Sequence, residues 1–264
     1  MGKKHSAHLS FPIASLALIL FLVLPFTAWS GEPKIENSLP REELSQYSHS
    51  FDKADEDLWE KSSFVPQKGQ RGNFKLADMK IENGRLRIVT KTGAFSKGSY
   101  NAKFSLKGDF DMQVDCHLDF LEDISDMVQR AAFSVAKKGK DFKDVKIIAI
   151  QIMKSPRTGD RTIDTITLTR GKMKLRKRHF TENFHGTLRM VRRGKDITTM
   201  YKKEGGAGWK TLCSIPHTDQ AVRFGFVGQN FWGKKSTIKA VAPFTVEYDN
   251  FRINGAQEII EEDI

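Results

Sequence analysis

The stretch Asp109–Phe120 constrains the fold more than any other part of the chain. Phe110, Met112, Val114, Cys116, Leu118 and Phe120 alternate without interruption with Asp111, Gln113, Asp115, His117 and Asp119. A period of two over this length gives an extended strand with one apolar and one polar face, and leaves no room for a helical reading. The neighbourhood repeats the signal in shorter pieces. Asn83-Gly84 is a hairpin dipeptide, followed by Leu86 and Ile88 in alternation. Further strands are expected near 130–136, 146–153, 162–169, 172–179, 187–193, 196–202, 209–215, 222–228 and 244–253, punctuated by turns such as Arg193-Gly194-Lys195-Asp196 and Glu204-Gly205-Gly206. About a dozen strands with no long helical period mean an all-β sandwich or barrel.

The flanks read differently. Lys3 and Lys4 precede an apolar run from Phe11 to Trp29, and Ala28 and Ser30 supply small residues before Gly31, so residues 1–30 read as a secretory signal peptide, with an uncleaved anchor as the competitor. No other segment is apolar and long enough to span a membrane. An exported, periplasmic or extracellular protein is expected. Residues 31–50, with Pro33 and Pro40, read as a polar linker, 51–254 as the folded domain and 255–264 as a frayed acidic tail. The net charge is +11, and Lys3 and Lys4 are the only charges in the first thirty residues, which leaves +9 for the remainder. A basic exported protein suits anionic partners, with solubility alone as the plain alternative. Cys116 and Cys213 both fall on apolar strand faces; a disulfide and two buried thiols are equally open.

Four stretches carry a family resemblance: Trp59-Glu60 before Asn83-Gly84-Arg85-Leu86-Arg87-Ile88; Gly108-Asp109-Phe110-Asp111-Met112-Gln113-Val114; Leu188-Arg189-Met190-Val191-Arg192-Arg193-Gly194 leading to Trp209; and Tyr248-Asp249-Asn250-Phe251-Arg252-Ile253. In this order they resemble the concanavalin A-like lectin/glucanase superfamily, including its laminin-G-like domains. The resemblance implies a two-sheet antiparallel jelly-roll sandwich that buries the Phe110–Phe120 face, with Trp59 and Trp209 in packing roles. It also implies a structural calcium held by Asp52, the Gly84 carbonyl and Asp249. The fold does not specify an activity, because it hosts lectins, glycosidases, lyases and adhesion modules.

The polar face of the central strand is the first candidate site, with Gln113, Asp115 and His117 as ligand contacts and Asp111, Asp115 and His117 as the candidates for catalysis. Side chains there project the same way at ~6.5–7 Å intervals, and glycoside hydrolysis needs paired carboxylates. Laminarinase-like members of the superfamily set Glu-x-Asp-x-Glu on one strand face; here the pattern is Asp-x-Gln-x-Asp-x-His-x-Asp, with no Glu. A lyase would take a His base, for which His117 and His185 are available. The second candidate is a basic stripe, Lys172, Lys174, Arg176 and Arg178, read as four cations on one strand face suited to a uronate-rich polysaccharide, or as charge guarding a sheet edge. No aromatic residues interleave with them, so nucleic acid is not expected. Asn230 and Trp232 follow a Gly-rich strand and suit sugar recognition, or a plug at the sandwich end. No His/Cys spacing suggests zinc. The leading function is an exported, non-catalytic carbohydrate-binding or surface-adhesion module. The alternative is a glycoside hydrolase or polysaccharide lyase, with a structural envelope protein third.

Overall fold

The alternating strand lies at the centre of a seven-stranded sheet in the computed structural model, which describes residues 34–62, 74–122, 127–137, 145–156, 158–170, 172–230 and 240–261. In chain order the elements are α1 (Arg41–Gln46), β1 (Trp59–Lys61), β2 (Phe74–Leu76), β3 (Asp78–Glu82), β4 (Arg85–Val89), β5 (Phe95–Ala102), β6 (Phe104–Leu118), β7 (Gln129–Lys137), β8 (Lys146–Lys154), β9 (Arg161–Thr169), β10 (Lys172–Phe180), β11 (Phe184–Arg193), β12 (Asp196–Lys203), β13 (Lys210–Pro216), β14 (Arg223–Gln229) and β15 (Thr245–Glu261). One sheet runs β13-β12-β11-β6-β15-β4-β3; the other runs β1-β5-β14-β7-β8-β9-β10, with β2 added in parallel to β5. This is the two-sheet, concanavalin A-like jelly-roll expected from the sequence. The signal-peptide reading and Trp232 lie outside the described residues. Among the described residues no helix is long and apolar enough to cross a membrane.

The apolar face of β6 forms the core as its period dictates: Phe110, Met112, Val114, Cys116 and Leu118 are all buried, with Phe133, Ile148, Ile150, Ile152 and Phe226 of the second sheet in the same cluster. Trp59 stacks on Tyr100 at 5.5 Å and on Phe226 at 5.4 Å, and meets Phe251 edge-on at 5.4 Å, so it belongs to the core. Tyr248 crosses between the sheets: its hydroxyl lies 3.0 Å from the Ala132 carbonyl and 2.9 Å from that of Val227, and accepts from the Ala132 N–H at 3.0 Å. The β3–β4 hairpin turns on Asn83 and Gly84, both at positive φ (54° and 71°), the geometry for which Asn-Gly is selected.

Both expected boundaries move outward. Residues 34–50 are part of the fold: Ile35 and Leu44 are buried, the Leu39 N–H donates to the Ala256 carbonyl at 2.8 Å, and His49 bridges to Phe251. Their apolar residues are too sparse to show a period. The expected frayed tail is ordered to Glu261, because β15 continues along β6 with Ile259 opposite Leu106 and Glu258 paired with Lys107 at 3.0 Å. The cysteine alternatives resolve as two free thiols, Cys116 buried and Cys213 half-buried. Strands β13 and β6 are separated by β12 and β11, a span of about 14 Å at ordinary strand spacing, where a disulfide needs roughly 4.4–6.8 Å between Cα atoms.

Candidate functional site

The polar face of β6 looks away from the core, and the neighbouring strands convert it from a row of free carboxylates into an engaged network. Asp111 is fully buried: Arg189 of β11 grips it with Nε at 2.8 Å and Nη2 at 2.5 Å, and Asn254 adds a donor at 3.2 Å. Trp209 covers this pair, its ring centre 5.0 Å from the Arg189 guanidinium and 5.7 Å from the Lys202 ammonium. The Asn254 amide also donates to Gln113 at 3.1 Å. Asp115 accepts from the Thr187 hydroxyl at 2.6 Å and the Asn250 amide at 3.2 Å. Asp111 is therefore a buried structural anion, which removes it as a catalytic candidate.

Asp115 and His117 do line a cavity of about 290 Å³, together with Thr187, Lys202, Lys203 and Glu204. The His117 and His185 rings are 5.3 Å apart, and His185 Nε2 lies 2.9 Å from Asp119 Oδ1. Burial lowers the His117 pKa from its ordinary value, helped by Arg85 and His185. His49 and His217 are lowered for the same first reason, burial. His49 also accepts the Phe51 N–H on Nδ1 at 2.7 Å, a bond that a protonated ring nitrogen cannot accept. Each of these three groups binds a proton more weakly folded than unfolded. Their contribution to stability is full above the unfolded pKa of about 6.5 and is lost as pH falls below it. The melting temperature at constant ionic strength is thus expected to drop between pH 7 and pH 5; a flat or rising profile would contradict this assignment.

The other expected sites fare unevenly. Lys172, Lys174, Arg176 and Arg178 do not share a face, because a bulge lies between Leu175 and Lys177. Lys172 and Lys174 stand opposite Thr169 and Thr167, whereas Arg178 stands opposite Asp164 on the other face of the sheet and bonds it at 3.1 Å. The strand alternation predicted the wrong partition because an extra residue inverts every position after it. Strand β10 is an exposed sheet edge, where the edge-guard reading placed it. Asn230 is structural: its side chain accepts from the Ser96 N–H at 2.7 Å and donates to the Lys91 carbonyl at 3.1 Å. For calcium, Asp52 does lie over Gly84, but it accepts from Ser50 at 2.6 Å, while Asp249 accepts from the Asn250 N–H at 2.6 Å with Arg85 4.0 Å away. No group of three or more His, Cys, Asp or Glu side chains among the described residues could share a metal ion.

Sequence reasoning missed a second polar face, on the outside of the eight-stranded sheet. Cross-strand register aligns Lys97, Gln229, Arg130, Met153 and Thr162 in one row, and Ser99, Val227, Ala132, Gln151, Asp164 and Arg178 in the next. Asp164 is 0% and Gln151 1% exposed, although they point away from the core. Asp164 accepts from Arg178, from Gln151 Nε2 at 3.1 Å and from the Thr162 hydroxyl at 3.1 Å. Within each row every residue comes from a different strand, so only the register reveals the set.

Residues 36–230 match the sequence family described as "Protein of unknown function (DUF1583) C domain". The chain belongs to the DUF1583 C-domain family. The match takes in the segment 36–50 that the sequence alone assigned to a linker, in agreement with its packing here. No curated protein matches the chain. Solved structures similar to this DUF1583 C domain include a glycoside hydrolase family 16 endo-glucanase from Bacteroides ovatus, at TM-score 0.56 and 11% identity, covering 79% of this chain and 99% of that one. A second is an immunostimulatory antigen and pseudo β-1,3-glucanase of Mycobacterium tuberculosis, at TM-score 0.56 and 10% identity, covering 82% and 98%. A third is the CBM2 module of the evolved Dit protein of Lactobacillus casei BL23 phage J-1, at TM-score 0.54 and 8% identity, covering 83% and 96%. At such identities the similarity establishes the concanavalin A-like sandwich and nothing finer.

Proposed function

We propose that this DUF1583 C domain is an exported, non-catalytic glycan-binding or surface-adhesion module, acting in the periplasm or outside the cell. The observation that supports it best is the engagement of the β6 carboxylates: Asp111 by Arg189, Asp115 by Thr187 and Asn250, and Asp119 by His185. Two-carboxylate glycoside hydrolysis needs one acid and one base or nucleophile free to face the same bond; Asp111 is buried against Arg189, and Asp115, though it lines the cavity, is bonded to Thr187 and Asn250. The cavity beside Asp115 and His117, with Thr187, Lys202 and Lys203, offers the mixture of donors and acceptors that sugar hydroxyls require. The cations of β10 and of this cavity favour an anionic glycan. The four sequence stretches resemble those of the laminin-G-like modules of the superfamily, which supports a binding role, and export is inferred from the character of residues 1–30.

A polysaccharide lyase is the second reading, favoured by His117: burial keeps it neutral near pH 7, as a proton-abstracting base must be. A glycan array with the purified protein, followed by reducing-end and unsaturated-product assays on every glycan retained, separates these readings. Retention without new reducing ends is the expected result. Released reducing ends would establish a hydrolase, and an ultraviolet-absorbing unsaturated product abolished by His117→Ala would establish a lyase.

A further inference from the structure

We propose that a second binding site lies where β15 meets the segment 48–50, and that it takes one acidic sugar residue through Arg252 and His49. The two segments pair at His49 and Phe251, with backbone bonds of 2.9 Å in both directions. Beside that pairing is a cavity of about 370 Å³ whose lining includes Ser45, Ser48, His49, Ser50, Asn250 and Arg252, and no acidic residue. Its volume falls in the range of small-molecule sites. The backbone is strained on both sides of it. Phe51 (φ 57°) and Asn250 (φ 47°) occupy the left-handed region, which a bulky side chain such as Phe adopts only under constraint. A bulge between Asp249 and Arg252 also turns β15 at this point.

The free groups of the cavity define the ligand. His49 accepts the Phe51 N–H on Nδ1 at 2.7 Å, so the ring proton sits on Nε2. That N–H has no partner among the described residues, and it is not one of the orphaned atoms sealed from solvent, as Nε1 of Trp59 is. His49 is only 9% exposed and lines the cavity, so its reachable N–H opens there. Arg252 stands opposite Gln113 on the polar face, is exposed, and forms no ion pair among the described residues. These are the donors. The serine hydroxyls spend their protons elsewhere: Ser45 donates to the Glu42 carbonyl at 2.7 Å, Ser48 to that of Leu44 at 3.1 Å and Ser50 to Asp52 at 2.6 Å. Asn250 gives its amide N–H to Asp115, which leaves Oδ1 to accept. One cation and one N–H beside several acceptors suit an anionic oxygen flanked by hydroxyls, the chemistry of a uronic acid or a sulfated sugar. The acids nearby are engaged and do not line the cavity. Asp52 and Asp55 act on His49, but Asp52 holds Ser50 and Asp55 accepts the Leu58 N–H at 3.1 Å. Asp249 accepts the Asn250 N–H at 2.6 Å, and Asp115 is held by Thr187 and Asn250.

This inference rests on the glycan-binding reading and adds to it a second place and a charge. It is tested by isothermal titration calorimetry, at constant ionic strength, of the parent and the Arg252→Gln, Arg252→Lys and His49→Asn variants. The probes are alginate oligosaccharides (uronate), sulfated carrageenan oligosaccharides, neutral laminari-oligosaccharides and sodium sulfate. The parent is expected to bind at least one acidic oligosaccharide, and to bind it more tightly than sulfate alone. Arg252→Gln is expected to weaken that binding about tenfold, the size of one lost charge-assisted hydrogen bond, with Arg252→Lys in between and any laminari-oligosaccharide binding unchanged. His49→Asn keeps an acceptor for the Phe51 N–H and removes the Nε2 donor, and is expected to cost about threefold to tenfold. Arg252→Gln should melt with the parent, because its side chain is exposed and has no ion pair to lose; if His49→Asn does not fold, the Arg252 variants decide. Acidic-probe affinity unchanged in folded Arg252→Gln would overturn the site. Sulfate bound as tightly as the acidic oligosaccharides would overturn the saccharide as its ligand. A parent that binds only laminari-oligosaccharides would overturn the site and leave glycan binding standing. A parent that binds no oligosaccharide would overturn both.

Discussion

Arg189→Met should be the most damaging single substitution on the sheet surfaces, costing about 3–5 kcal/mol, because it leaves the Asp111 carboxylate buried without its cation. The two side chains are each 1% exposed, so water cannot take the place of the guanidinium. The remaining donor, Asn254 at 3.2 Å, is neutral. The loss also removes the platform under Trp209. For a domain of this size that destabilisation corresponds to roughly 2–4 °C of melting temperature per kcal/mol. The double variant Arg189→Met/Asp111→Leu is expected to recover most of it, since removing both members of a buried pair is often neutral. Urea denaturation of the parent, both single variants and the double gives the coupling directly. A cost below about 1 kcal/mol for Arg189→Met, the range of exposed pairs, would mean that the carboxylate is hydrated and the pair is a surface feature.

Trp59→Ala is expected to cost about 3–5 kcal/mol, the range for emptying a large aromatic site. The mechanism is packing alone: its buried Nε1 makes no hydrogen bond, so no polar partner is lost with the ring. The effect is large because of where the ring sits. It comes from a three-residue strand yet touches Tyr100 and Phe226 of one sheet and Phe104 and Phe251 of the other. Removing it uncouples the two layers at that end. Trp59→Phe keeps part of the ring contact and should lose less than half as much. Equal losses for Phe and Ala would point to a specific role for the indole that packing does not supply. Chemical denaturation measures both.

The sequence reading was strong where one strand carried its own evidence and weak where several strands had to be combined. The alternation of β6 announced both the core and the polar face that lines a cavity, since a period of two needs no knowledge of neighbours. Asn83-Gly84 announced its hairpin for the same reason. Asp111 was legible as polar but not as buried, because the Arg189 that covers it lies seventy-eight positions away. The stripe on β10 was misread because a bulge is a property of pairing with β9 and leaves no mark in composition. The face containing Arg130, Gln151 and Asp164 was invisible: each lies in a different strand, and only the β7-β8-β9 register puts them in adjacent rows. The segment 34–50 and the end of β15 looked like linker and tail because each buries only a few side chains against the other.

The position of β15 has a consequence for how the molecule is made. Among the described residues it is the last strand in chain order, yet it lies inside its sheet, with β6 on one side and β4 on the other. Until Thr245–Glu261 has emerged, β6 and β4 each present an unpaired edge, and Tyr248 has not yet joined the two layers. A chain delivered N-terminus first, from a ribosome or through a translocation pore, therefore cannot complete this sandwich until β15 has been delivered. The decisive pairings bridge well over a hundred residues, from Leu86 to Tyr248 and from Cys116 to Tyr248, and such long-range closure belongs to the slow, millisecond-to-second class of folding. The interval before closure exposes strand edges to other chains, so the seventeen residues of β15 act as the latch that ends the vulnerable period.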